Sequence, residues 1–170
     1  MAGCCSIDPY IHFENIINGD GPLEIATAFH LSSYGDLTAL VQSEYSKKKI
    51  NQFFDDFQAF IEENSEMPWN IEELEDDMHL ILFSGTITFD RNNKVTIDDK
   101  EIYGKRIFSK MDTLERSGLL KQPIQIESGK ELYNKISKSL WLLHPIDGQP
   151  HETIWKKAED FASFIVKGEI

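Results

Sequence analysis

The run Met78-His79-Leu80-Ile81-Leu82-Phe83-Ser84-Gly85-Thr86-Ile87-Thr88-Phe89, continued by Val95, Ile97, Ile102, Tyr103 and Ile107 to Phe108, carries the clearest sheet character in the chain. Ile81, Phe83, Ile87 and Phe89 share one face at a period of two. The intervening positions are apolar early (Leu80, Leu82) and polar late (Ser84, Thr86, Thr88), so the strand is expected to start covered on both sides and to end with one side wet. Turn chemistry interrupts at Asp90 to Lys94 and again at Asp98 to Lys100. The expected fold class is α+β: a small antiparallel sheet, a three-stranded meander over 78–108, packed against several helices. Pro123-Ile124-Gln125-Ile126 is expected as a fourth strand, at an edge because proline cannot donate to a ladder.

The helices are read from apolar spacing and end signals. Tyr10 to Ile17 is a short apolar piece, an edge strand or a docked arm within residues 1–22, closed by the turn cluster Asn18-Gly19-Asp20-Gly21-Pro22. Pro22 suits the first turn of a helix bearing Leu23, Ile25, Ala26 and Phe29 that stops near Ser32 to Gly35. Asp36 is expected to cap a second helix with Leu37, Leu40, Val41 and Tyr45. The clearest helical stripe is Ile50, Phe53, Phe54, Phe57, Phe60 and Ile61, within Lys47 to Asn64. A short helix capped by Asn70 follows, then one over Phe108 to Ser117. Ser128 and Glu131 have capping-box spacing before Leu132, Ile136, Leu140 and Leu143. A last helix, His151 to Lys167, presents Ile154, Ala158, Phe161, Ala162 and Ile165 and stops at Gly168. At 170 residues the chain is expected to form a single domain, 1–170, with a sufficient core of its own.

The formal charge of -12 is unevenly placed. Residues 1–90 hold 17 acidic and 3 basic side chains, and residues 91–170 hold 12 and 14. Such a field repels nucleic acid and anionic membrane and steers basic proteins inward. From Asp55 to Asp90 there are 11 carboxylates and no Lys or Arg, with Trp69 among them as an aromatic anchor. The two cysteines, Cys4 and Cys5, are adjacent and cannot staple distant segments. No basic start followed by an apolar run opens the chain, and no apolar stretch approaches membrane-spanning length, so a cytoplasmic protein is expected.

Catalytic signatures are missing. No GxSxG, GxGxxG or GxxxxGK[ST] occurs. The histidines at 12, 30, 79, 144 and 151 have no zinc-ligand spacing. His12 and Glu14 match the HxE of zinc deaminases without the accompanying PCxxC. Asp90, Asn92 and Glu101 fit three positions of a calcium loop, but Lys94 and Val95 occupy a ligand position and the obligatory glycine. The expectation is no enzyme, no metal and no cofactor. The alternatives are a small carboxylate-dependent hydrolase using Asp76, Asp77 or Glu14 beside a histidine, and an adaptor or structural subunit.

Small, acidic, single-domain, cysteine-poor and without catalytic motifs, the chain resembles the bacterial immunity proteins of toxin–immunity systems such as contact-dependent growth inhibition. The resemblance implies a cytoplasmic inhibitor that covers the cationic active site of a basic toxin, commonly a nuclease. The expected docking surface is Asp55, Glu62, Glu63, Glu66, Trp69, Glu72, Glu73, Glu75, Asp76 and Asp77, on the wet face of the Lys47 to Asn64 helix and the segment after it. The partner is a basic protein, with neither nucleic acid nor membrane expected.

Overall fold

A computed structural model describes residues 12–19, 21–42, 80–89, 94–110, 114, 133–136, 139–143 and 150–167. These residues form one eight-stranded mixed sheet. Its strands are β1 (His12–Asn18), β2 (Thr38–Gln42), β3 (Leu80–Ser84), β4 (Ile87–Phe89), β5 (Lys94–Ile97), β6 (Lys100–Lys110), β7 (Tyr133–Lys135) and β8 (Leu140–Leu143). Two helices are described, α1 (Pro22–Ser33) and α2 (His151–Val166).

Five strands run parallel in the order β3-β2-β1-β6-β8. The first half of β6 pairs antiparallel with β5, and β5 with β4. β7 pairs antiparallel with β8. The α+β expectation is therefore overturned: the architecture is α/β, built on a mainly parallel sheet. The quoted stretch is not one arm of a meander but two strands in different neighbourhoods. Gly85, at φ 153°, breaks it, and its N–H bonds to the Gln42 carbonyl at 3.0 Å. β3 thus joins β2 in parallel register, Ala39 opposite Ile81, while β4 turns into the expected antiparallel ribbon. The turn before Lys100 is as expected: Asp98, at φ 55°, reverses the chain, and its carboxylate accepts the Thr86 N–H at 3.2 Å.

Three other expectations are corrected. His12–Asn18 is no edge strand or loose arm; β1 lies between β2 and β6, with Ile16 and Ile17 both fully buried. The helix expected from Asp36 is β2, all five of whose residues are buried. The helix expected over Leu132 to Leu143 is the hairpin of β7 and β8. Its apolar spacing allowed a helix, but Trp141 and Leu142 are buried beside Leu140 and Leu143, as in a strand covered on both faces. The helices expected over 47–64 and after Asn70, and the strand over 123–126, lie outside the described residues; so does most of the helix expected over 108–117, whose first three positions belong to β6.

Both helices lie on one face. Phe29 of α1 and Trp155, Ala158, Phe161 and Ile165 of α2 pack with Ile17, Leu40, Phe108 and Trp141. The other face buries Phe13, Ile16, Ala39, Val41, Val95, Ile102 and Ile107. Phe13 and Ile16 are three apart yet share this face; between them the N–H groups of Glu14 and Asn15 both reach the Leu37 carbonyl, at 2.9 and 3.3 Å. α1 ends as expected, with Gly35 at φ 87° returning its N–H to the Ser32 carbonyl at 2.9 Å.

Arg106 ties the amino-terminal end of this architecture together. Its Nε donates to Asn15 Oδ1 at 2.9 Å, one terminal nitrogen reaches Asp36 Oδ2 at 3.1 Å, and the other reaches the Ile165 carbonyl at 3.4 Å. The last turn of α2 has no basic residue of its own. Arg106 supplies the positive charge that its exposed carbonyl dipoles favour.

Candidate functional site at the carboxyl end of the parallel strands

In an open parallel sheet, ligands bind beyond the carboxyl ends of the strands, where the chain order reverses. Here β1 is followed across α1 by β2 on one side, while its other neighbour is β6. The carboxyl ends of β1 and β6 are the reversal point. It is marked by a polar pair, Asn18 Nδ2 donating to Ser109 Oγ at 3.1 Å.

The β1–α1 turn supplies the next element. Gly19-Asp20-Gly21-Pro22-Leu23-Glu24 has the first two glycines of a GxGxxG fingerprint, with Glu24 in place of the third. Pro22 is the first helical residue, where a missing N–H costs nothing, and Gly21 is the N-cap. Glu24, only 3% exposed, stands at the third helical position, from which a carboxylate reaches back over the N-cap. A Cβ on Gly19 would collide with Glu24 Cγ, and one on Gly21 would lie 2.5 Å from Glu24 Oε2. The glycines are needed because the Glu24 side chain fills the room above them. A search for three glycines passes over this turn; a search for two glycines closing a strand and opening a helix finds it.

Glu24 has polar company one turn along. Thr27 Oγ1 donates to the Leu23 carbonyl at 2.6 Å and lies 2.7 Å from the Tyr133 hydroxyl. Tyr133 stacks on Phe161 of α2, and its phenol is pushed up from the ordinary value by burial, with Glu24's negative charge adding to the shift and the Thr27 hydrogen bond opposing it.

The third element is Gln42, the last residue of β2 and fully buried. Among the described residues, neither Nε2 nor Oε1 of its side chain has a hydrogen-bond partner. Leu40 packs on the helix side of the sheet and Val41 on the other, so alternation puts Gln42 on the helix side. Val41 is in register with Asn18, so Gln42 stands level with Gly19. It follows the first glycine by 23 positions, close to where dinucleotide folds place the residue that holds the ribose hydroxyls.

Among the described residues, no other expected site residue joins this group. All ten expected docking residues, between positions 55 and 77, lie outside the described residues, as do Cys4, Cys5 and His79. Glu14 is held by Lys105 at 3.0 Å, and His12 stacks on Tyr103. Glu101, the last calcium-loop candidate, pairs with Lys94 at 3.4 Å. Among the described residues, no group of three or more His, Cys, Asp or Glu side chains is placed to hold a metal ion. No helix among them is long and apolar enough to cross a membrane.

No protein-family model and no curated protein matches the chain. Among solved structures it is similar to Thermovibrio ammonificans THI4, at 13% identity and TM-score 0.52, over 92% of this chain and 91% of that one. It is also similar to pqsL, a probable FAD-dependent monooxygenase from Pseudomonas aeruginosa, at 12% identity and TM-score 0.43, over 72% of this chain and 48% of that one. The flavoprotein disulfide reductase RclA from Escherichia coli matches at 20% identity and TM-score 0.39, over 56% of this chain and 27% of that one. The chain thus spans half or less of these two flavoproteins. The THI4 likeness, which covers both chains nearly whole, shows a Rossmann-like α/β fold. The expectation of no enzyme is corrected with it: that expectation rested in part on a different fold, and the THI4 likeness overturns that ground.

A flavin or nicotinamide dinucleotide does not fit this turn as built. Its pyrophosphate would rest on the backbone of Gly19 and Gly21, where the Glu24 carboxylate already lies.

Proposed function

We propose that the chain binds a ribosyl small molecule at the carboxyl end of its parallel strands, with Gln42 holding the sugar. The observation that carries this is the Gln42 carboxamide, fully buried with neither polar atom paired among the described residues. Leaving such a group unsatisfied costs about 1–3 kcal/mol, which a ligand's hydroxyls would relieve. A carboxamide both donates and accepts, matching a vicinal diol, whereas a carboxylate at that position only accepts. Adenosine serves as probe. Wild-type protein is expected to bind it by titration calorimetry, 2′,3′-dideoxyadenosine at least tenfold more weakly, and the Gln42→Leu protein neither. Equal affinity of wild type and Gln42→Leu for adenosine would refute the assignment.

A second reading is favoured by the charge distribution, 11 carboxylates and no Lys or Arg from Asp55 to Asp90. In it the chain neutralises a basic protein toxin, the acidic segment standing in for the phosphates of a nuclease substrate. Replacing Glu72, Glu73, Asp76 and Asp77 by Lys is expected to leave folding intact and slow association at least tenfold at low salt. A quadruple variant that bound a cognate toxin domain at the wild-type rate would sink this reading.

A further inference from the structure

We infer that Glu24 is a built-in occupant of the phosphate position, so that the site accepts a nucleoside and rejects the corresponding phosphates. The inference rests on the ribosyl reading of Gln42 for its ligand class, but on the β1–α1 turn for its selectivity.

Three observations meet at this turn. The first amides of a helix point free N–H groups outward, and anions collect there. The two glycines that let an external phosphate approach in other sheets of this topology are both present. The space they open, however, holds Glu24: its Cγ lies where a Gly19 side chain would begin, and its Oε2 lies against Gly21. The carboxylate therefore takes both the volume and the electrostatic favour that a phosphate would use. A second anion would meet a like charge a few ångströms away, in surroundings that water screens poorly. The negative charge is already felt at Tyr133 across Thr27.

Gln42 keeps this from being simply a capped helix start. Level with Gly19 on the helix side of the sheet, it retains an unpaired, uncharged donor and acceptor where a sugar would sit. The neighbouring anion position is closed. A ligand with hydroxyls and no phosphate is the one chemistry that satisfies both.

The test compares adenosine, ADP and inorganic pyrophosphate by titration calorimetry on the full chain, as wild type, Glu24→Ala, Glu24→Gly and Gln42→Leu. Wild type should bind adenosine, bind ADP at least tenfold more weakly, and give no heat with pyrophosphate at millimolar concentration. Glu24→Ala, which opens the space while keeping a strong helix former, should bind ADP and pyrophosphate at least tenfold more tightly than wild type. Glu24→Gly, which completes the fingerprint, should do so as well. Wild type binding ADP as tightly as adenosine would overturn the inference even if neither variant folded. A folded Glu24→Ala protein with no gain for pyrophosphate would also overturn it. If wild type ignored adenosine but Glu24→Ala gained pyrophosphate, the ribosyl reading would fall and the occupied phosphate position would stand.

Discussion

His30 gives this fold an acid limit that can be computed and isolated. The imidazole lies in the last turn of α1, 1% exposed, with its ring centroid 4.2 Å from that of Trp155 and Phe29 edge-on. Among the described residues, its Nε2 has no hydrogen-bond partner. Burial pushes the ring down to about 3 from the ordinary 6.5; a hydrogen bond with the Trp155 backbone opposes the shift, and the charge of Lys156 adds to it. The folded state therefore holds His30 neutral, while the unfolded chain takes up a proton once pH falls below 6.5. Stability is unaffected above that value and declines between 6.5 and 3. At pH 4.5 the unfolded histidine is almost wholly protonated and the folded one almost wholly neutral, a loss of about 3 kcal/mol relative to pH 7.5. That is a large fraction of the roughly 5–15 kcal/mol that holds an ordinary domain folded. Urea unfolding at pH 7.5 and 4.5, on wild type and His30→Leu, separates this from the carboxylates. Leucine is close in volume and does not titrate, so the variant should lose about 3 kcal/mol less on acidification. Superimposable pH dependences would refute the reasoning.

Other consequences follow from the packing. Arg106→Met leaves Asp36 and Asn15 without their shared partner and should cost about 2–4 kcal/mol in urea unfolding, with Arg106→Lys recovering only part because a single ammonium cannot reproduce the fork. Gly104→Ala places a methyl group 2.7 Å from Ile16 Cδ1, inside a central pair of strands, and should lower stability by about 1–3 kcal/mol. The raised phenol of Tyr133 keeps its proton in the folded state above the unfolded value of 10, so stability should fall as pH climbs past 10. Tyr133→Phe should flatten that alkaline decline while costing about 1 kcal/mol at neutral pH through the lost Thr27 contact, both read by chemical denaturation.

The candidate site is partly legible in the sequence. The turn cluster from Asn18 to Pro22 and the helix after it are visible in the sequence, and α1 and its stop at Gly35 appear where expected. The significance of Glu24 is not visible, because only the folded turn shows its side chain lying over Gly19 and Gly21. Gln42 is harder still. In sequence it is one polar residue ending an apolar run, and its burial without a partner depends on neighbours far along the chain.

What the sequence determined by itself was local. The stripe Ile154, Ala158, Phe161, Ala162, Ile165 makes α2, Asp98 and Asp99 reverse the chain, and the carboxylates crowd the first ninety residues, because each follows from the order of neighbouring side chains. Tertiary structure decided the parallel pairing. Thr38–Gln42 and Leu140–Leu143 are short apolar runs whose period favours neither helix nor strand, and their parallel ladder partners lie more than twenty residues away. A strand buried on both faces has no polar edge to betray its register. Only the assembled sheet brings Asn18, Glu24, Gln42 and Ser109 to one end of the molecule.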